Sequence, residues 1–453
     1  MKNIVFITVD SLRADYVFGP RAPDSIGTLS SISDQWRSFP NAFANAPYTK
    51  QSFLSLLSGT YPWTFDSPED GFEQDRPHVA ELLSESGYVT GGFHTNTYLS
   101  PTYNYDRGFD YYLGRDTGGI SDTESAVSAR FSTMVERAVT MRGLSRAIFW
   151  AYKNAGKKLG VQLGSNLYKP ASELNDAVID WVKQCSRPVF AWVHYMDVHN
   201  PYYPHEGTVS ENISRRKAVK LFHKVNDLRS DADDEDIATL ERLYRGEIEY
   251  FDRELGDLLD RLDRTLGLDN TLVVFTSDHG EAFNEHEYVF HPGSALYEEN
   301  VHIPLLVRGT DIEPIEVSTP VTNADIVPTI LRAAGVKPPA STVGIDLSSI
   351  EEQSGERVVF VESYDKTDGG VMATDGRYKL IRDLETGEES LYDRRREETE
   401  VTLHTQEYNN VYTTLRSELD EHLRTVTQRE SNDSNVEVTE DVRLRLRKLG
   451  YDE

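Results

Sequence analysis

Cysteine is almost missing from this chain: Cys185 is the single one among 453 residues. That excludes an intramolecular disulfide and any cysteine-built zinc site. Cys185 sits in VIDWVKQCSRPVF at an expected helix end, where a packed, unreactive thiol is the ordinary reading. Basic residues are scarce as well, with 47 Lys and Arg against 75 Asp and Glu, a formal charge of -28 and a pI near 4.8. A field of that sign repels phosphate backbones and anionic headgroups, so a nucleic-acid binder or a basic membrane-surface protein is excluded. Long apolar runs are absent too; none approaches the roughly 18 residues of a membrane span. The opening MKNIVFITVD has no charged start, apolar middle and small-residue cleavage site, so a cytoplasmic location is expected.

Hydrophobic residues make up 38% and aromatics 10%, too apolar a mixture for a disordered acidic chain. The acidic excess is spread along the sequence, which suits a high-salt cytoplasm, with an ordinary acidic enzyme as the plainer alternative. NIVFITVD, PVFAWVHYMD (188–197), TLVVFTSD (271–278) and HIPLLVRG (302–309) read as strands buried on both faces. Helical patterns lie between them at 78–87, 172–184 and about 234–267. Alternating strands and helices predict an α/β layered domain with a mostly parallel sheet over 1–350, in which ligands gather beyond the carboxyl strand ends. Residues 351–453 read as a smaller domain with an antiparallel sheet, from VVFVES, VMATDGRYKLIRD and ESLYDRR. Residues 113–170 form the one basic island, either a solvated helical insertion or a surface for an anionic partner. The segment around 428–435 is polar and reads as a connector.

Asp10 closes the first apolar run, so its carboxylate is expected at the carboxyl end of a central strand. Asp278 and His279 close TLVVFTS in the same way. A lone acid in that place often serves only as a helix N-cap. Two such strand ends with an adjacent imidazole also make a divalent-metal site of hard oxygens and one nitrogen. In NAPYTKQSFLSLLSGTYP, Thr49 is expected where a loop enters a helix built on Phe53, Leu54, Leu56 and Leu57 and ended by Gly59 and Pro62. A hydroxyl there lies in the positive end of the helix dipole, which favours an attacking alkoxide and an anionic ester. The plain alternative is a Thr49 that merely caps the helix.

These segments resemble the sulfatases and their relatives in the alkaline phosphatase superfamily. The resemblance rests on NIVFITVDSLRADYV, LLSGTYP, GFHTNTYLS, RGFDYY, HYMDVHNPYYP, the block ending TLVVFTSDHGEAFNEH, LYEENVHIPLLVRG, and RYKLIRD with ESLYD. It implies an alkaline phosphatase-like layered domain, then a small domain with a four-stranded antiparallel sheet and a closing helix at DVRLRLRKLGY. It also implies one divalent ion (Ca, Mn, Zn or Mg) held by Asp10, Thr49, Asp278 and His279. Thr49 falls where sulfatases carry the cysteine or serine that becomes formylglycine. His199 matches a histidine that contacts the ester anion or leaving group, and with Thr49 it forms the implied catalytic pair. His194, His199, His291, Asn96 and Lys50 are implied on the substrate side, with Asp197 and His286 as further pocket candidates.

The departures from the family pattern narrow the expected chemistry. Gln51 and Phe53 stand where a sulfatase has its proline and arginine, Ser11 replaces a second aspartate, Gly293 a lysine and His279 an asparagine. Thr49 cannot become formylglycine. A threonine sulfate ester lacks the C–O cleavage route by which a formylglycine hydrate expels sulfate. A threonine phosphoester is resolved by in-line attack at phosphorus. The expectation is therefore a metal-dependent hydrolase or transferase acting on a phosphomonoester or phosphodiester, whether a small molecule, a glycan or a lipid headgroup. The alternatives are a sulfuric ester hydrolase without formylglycine and a non-catalytic binder of an anionic glycan or partner.

Overall fold

Seven strands form the central sheet of the computed structural model, which describes residues 1–114, 168–226, 232–350, 357–363, 369–395 and 407–427. Across the sheet they run Arg37–Ser38, Leu305–Arg308, Thr271–Ser277, Asn3–Val9, Val189–Tyr195, Val89–Phe93 and Tyr111–Leu113. The five from Thr271–Ser277 to Tyr111–Leu113 pair in parallel. Leu305–Arg308 departs from the expectation of a fellow parallel strand, because it pairs antiparallel with Thr271–Ser277. Its chain arrives from the short helix Glu298–Val301 and needs no crossover.

The middle strands are apolar on both sides because helices cover both faces. Val5, Ile7 and Val9 pack with the helices Ala171–Val182 and Asp234–Leu266 through residues such as Val178, Phe251 and Leu255. Ile4 and Phe6 point the other way, toward Phe53, Leu56 and Leu57 of Thr49–Ser58 and toward Ile330 of Ile326–Ala333. This two-sided burial explains why the strand sequences show no polar alternation. No helix among the described residues is long and apolar enough to cross a membrane.

The second sheet is antiparallel, in the order Val359–Glu362, Gly370–Thr374, Tyr378–Asp383 and Glu389–Asp393. One face packs against Leu415 and Leu419 of the helix Asn409–Thr427 and against Trp63. The other packs Val359, Val361 and Met372 on Phe43, Leu296 and Val301 of the larger domain. The basic island lies almost wholly outside the described residues, and the expected final helix at DVRLRLRKLGY lies outside them altogether.

Candidate active site

Strand register brings the two acids together. Val9 pairs with Ser277 on one side and Tyr195 on the other, so Asp10 and Asp278 leave neighbouring strands at one level. Ser11 then turns into the left-handed region at φ 61, an uncommon conformation for serine. This turn aims its N–H at Asp278 Oδ1, 3.2 Å away, while its hydroxyl donates to Asp10 Oδ1 at 3.0 Å. Asn96 Nδ2 donates to Asp10 Oδ2 at 3.0 Å.

Thr49 is the first residue of its helix and is fully buried. Its helix is fastened to the same strand end, since Ser52 Oγ donates to the Asp278 carbonyl at 2.6 Å and Asn323 Nδ2 to that carbonyl at 3.3 Å. Thr49 Oγ1 lies 3.1 Å from His279 Nε2. The tautomer follows from the other ring nitrogen. His279 Nδ1 sits 2.8 Å from the Gly280 carbonyl, an acceptor only, so Nδ1 carries the proton and Nε2 accepts from the threonine hydroxyl. That unprotonated nitrogen also lies 3.7 Å from Asp10 Oδ1 and 3.5 Å from Asp278 Oδ2.

Three lone-pair donors thus face one another without a positive charge between them. Among the described residues, the ion-pair partners of Asp10 and Asp278 are imidazoles. Asp278 Oδ2 is buried and has no hydrogen-bond partner. Burial and then the Asp10 charge push the Asp278 carboxyl well above the carboxylate range. Burial pushes Asp10 up too, but His199, His194 and His279 outweigh it and hold Asp10 below that range. Ligand atoms of Asp10, His194 and Asp278 lie within 4.8 Å of one another. Two ionised carboxylates at that spacing repel by on the order of 3 kcal/mol at an effective dielectric of about 20. A divalent cation reverses that conflict, and the donor set of hard oxygens with one or two imidazoles fits it.

His194, expected on the substrate side, stands instead beside the acids. It faces Thr8 across the strand pair, with Nδ1 3.1 Å from Thr8 Oγ1 and Nε2 3.3 Å from Asp10 Oδ2. His199 and His291 flank the pocket, their rings 5.1 Å apart and His291 4.5 Å from His279. Burial first, and neighbouring imidazole charge for the first two, hold His199, His279 and His291 down to about 4, so all three are neutral near pH 7. Lys50 turns into an aromatic slot, its Nζ 4.4 Å above the Tyr103 ring and 5.3 Å above Tyr98.

Two pocket candidates have other engagements. Asp197 accepts the Ala171 N–H at 3.0 Å and so caps the helix Ala171–Val182. His286 pairs with Glu299 at 2.7 Å and stacks on Tyr297 at 3.7 Å. Sequence reasoning missed Glu281, Ser52 and Asn323. Glu281 carried a signal, an acid three residues past Asp278 in SDHGE; Asn323 carried none, because the tertiary fold alone brings it to the site.

The model of the family "Sulfatase" matches residues 2–336, and that of "N-sulphoglucosamine sulphohydrolase, C-terminal" matches residues 286–428. Choline-sulfatase of Rhizobium meliloti (strain 1021) is 23% identical over 74% of this chain and 68% of its own length. Arylsulfatase K of Xenopus laevis is 25% identical over 71% of this chain and 60% of its own length. Among solved structures, the phosphonate monoester hydrolase SpPMH of Silicibacter pomeroyi superposes with a TM-score of 0.66 at 20% identity, covering 95% of this chain and 96% of that one. With the family match spanning most of its length, the chain belongs to the sulfatase family.

Proposed function

We propose that this chain hydrolyses or transfers a phosphate ester through Thr49. The observation that carries the reading is the buried threonine hydroxyl 3.1 Å from an unprotonated His279 Nε2 at a helix N-terminus. Asp10, Asp278 and His279, with Thr49 and His194 beside them, are the residues to hold a divalent ion. Such an ion, when bound, supplies charge that lowers a hydroxyl pKa and screens the ester's anionic oxygens.

The chain's own groups account for the rest. His279 Nε2 accepts the Thr49 hydroxyl in the metal-free chain, and its lone pair would turn to a bound ion, while the helix start keeps the Thr49 oxygen at the pocket. That oxygen gives up its proton to solvent and attacks phosphorus in line; a threonine–phosphorus bond forms, and the bond to the leaving oxygen breaks, the leaving oxygen keeping the electron pair and taking a proton from solvent. The first-turn N–H groups of the Thr49 helix stabilise the anionic oxygens. His199 and His291 bound the opposite side and orient the leaving group. Attack by water, or by an acceptor alcohol in a transferase, frees Thr49. Location in the cytoplasm of a salt-rich cell belongs to the same proposal and rests on the acidic composition.

Relatives named for choline sulfate and aryl sulfate cleavage favour a second reading, hydrolysis of a sulfuric ester. Thr49 opposes it, because a threonine sulfate ester has no ready exit. A panel of aryl phosphate, phosphodiester, phosphonate and sulfate esters with added divalent ions separates the two. Turnover of phosphorus esters, abolished in Thr49→Ala and partly kept in Thr49→Ser, is expected. Efficient sulfate-ester cleavage at equal rates by wild type and Thr49→Ala would overturn the threonine mechanism.

A further inference from the structure

Three imidazoles around the pocket are each anchored through Nδ1. His279 is held by the Gly280 carbonyl at 2.8 Å, and His199 by the Asn200 carbonyl. A backbone carbonyl only accepts, so both rings keep their proton on Nδ1. His291 differs, because its Nδ1 lies 2.8 Å from Oε1 of Glu281, a side-chain carboxylate. Glu281 is fully buried. Its second oxygen accepts the hydroxyl of Tyr202, and its backbone is fixed at both ends, the N–H donating to the Glu299 carbonyl at 2.7 Å and the carbonyl accepting from Arg13 Nη1 at 3.0 Å.

We infer that Glu281 is a positioning residue for His291. A buried acid this firmly held has one chemical use for the ring: it commits the Nδ1 proton and leaves Nε2 as the only ring atom for an ester. His291 lies between His279 and His199, with Tyr48 at 6.4 Å, so that atom serves the side of the pocket from which a leaving group departs. Tyr202 fixes the carboxylate, the carboxylate fixes the imidazole, and the imidazole orients the leaving oxygen. Carboxylate–histidine pairs of this kind set tautomer and ring angle together. The inference rests on the ester-hydrolase reading for its effect on turnover, but the tautomer itself is independent of any substrate.

Long-range proton–nitrogen NMR on labelled protein, with His291→Gln to identify the signal, reads that tautomer. Wild type is expected to show the Nδ1–H form at His291, and Glu281→Gln a mixture or the Nε2–H form. In parallel, Glu281→Gln should lower kcat by roughly 10- to 100-fold with KM little changed, and should add almost nothing in a His291→Gln background. Tyr202→Phe, which removes one donor and leaves the acid, should give a smaller loss of the same kind and serves if Glu281→Gln fails to fold. An unchanged His291 tautomer in Glu281→Gln, or losses that multiply in the double variant, would overturn the inference. A wild type that cleaves no ester would sink the function proposed above, while the NMR result would still decide the role of Glu281.

Discussion

Asp278 is the residue whose environment conflicts most with its charge. It is fully buried, one oxygen has no hydrogen-bond partner, and Asp10 stands beside it. A bound cation turns that repulsion into attraction, and a ligand that binds only the folded state stabilises it by about 2.7 kcal/mol at a hundredfold excess over Kd. Chelation should therefore lower the melting temperature of the wild type and scarcely move that of Asp278→Ala. Elemental analysis should find a divalent ion with the wild type and little with the variant; equal content in both would remove this site. At this scale the sequence was informative wherever a polar residue ended an apolar run, as at Asp10, Asp278 and His279. The place of His194 beside Asp10 was not legible, because alternation along Val189–Tyr195 says that Thr8 and His194 share a face only once the register of the two strands is known. Asn323 and Ser52 were illegible, since their contacts to the Asp278 carbonyl are made by tertiary packing.

Elements set how closely these residues approach. Gly280 follows His279, and a Cβ there would lie 2.1 Å from the Glu299 carbonyl, which is itself hydrogen-bonded to Glu281 N–H at 2.7 Å. Gly280→Ala should push the two segments apart, cost about 1–3 kcal/mol as an overpacked site does, and lower activity beyond what the stability loss explains; a crystal structure or melting curve identical to the wild type would contradict this. A second test lies at the N-terminus of Ala171–Val182. Burial, and then the charge of Glu247, push its cap Asp197 up to about 8. The folded chain keeps that proton up to about pH 8, while the unfolded chain releases it near the ordinary carboxylate value. Stability from this group is complete below the unfolded pKa and is lost as pH rises through about 8. Glu247 and His205 are also shifted upward, Glu247 chiefly by burial and His205 by Glu247 against its own burial, so their contributions have the same sign. The melting temperature should fall between about pH 4 and pH 8, and Asp197→Asn should flatten that slope; an unchanged slope would refute the assignment. The helices Ala171–Val182 and Asp234–Leu266 and the central strands were legible, because the former space their apolar residues at helical intervals and the latter are continuously apolar. The direction of Leu305–Arg308 was not, because a four-residue apolar run is the same in either orientation.

The whole molecule carries a charge of -28, and self-repulsion at that level opposes the compact state until salt screens it. Its melting temperature should rise with potassium chloride from low millimolar to molar concentration, more than that of an ordinary acidic domain; a flat or falling curve would argue against adaptation to high salt. The two sheets of the fold were both readable in outline, since one set of strands lacks alternation and the other is broken by short polar turns. What joins them was not: Arg357 on Asp325 at 2.7 Å, Arg394 on Glu298 at 2.8 Å and the buried Lys379 on the Leu296 carbonyl at 3.2 Å are long-range pairs that no local pattern announces. The complete reaction cycle provides the most direct test, because a threonine nucleophile leaves a covalent trace. Protein quenched during turnover of a slow aryl phosphate should yield a peptide containing Thr49 with one added phosphoryl group, absent before substrate and absent in Thr49→Ala. Turnover with that peptide unmodified at every time, and Thr49→Ala equally active, would contradict the account and assign the attack to water.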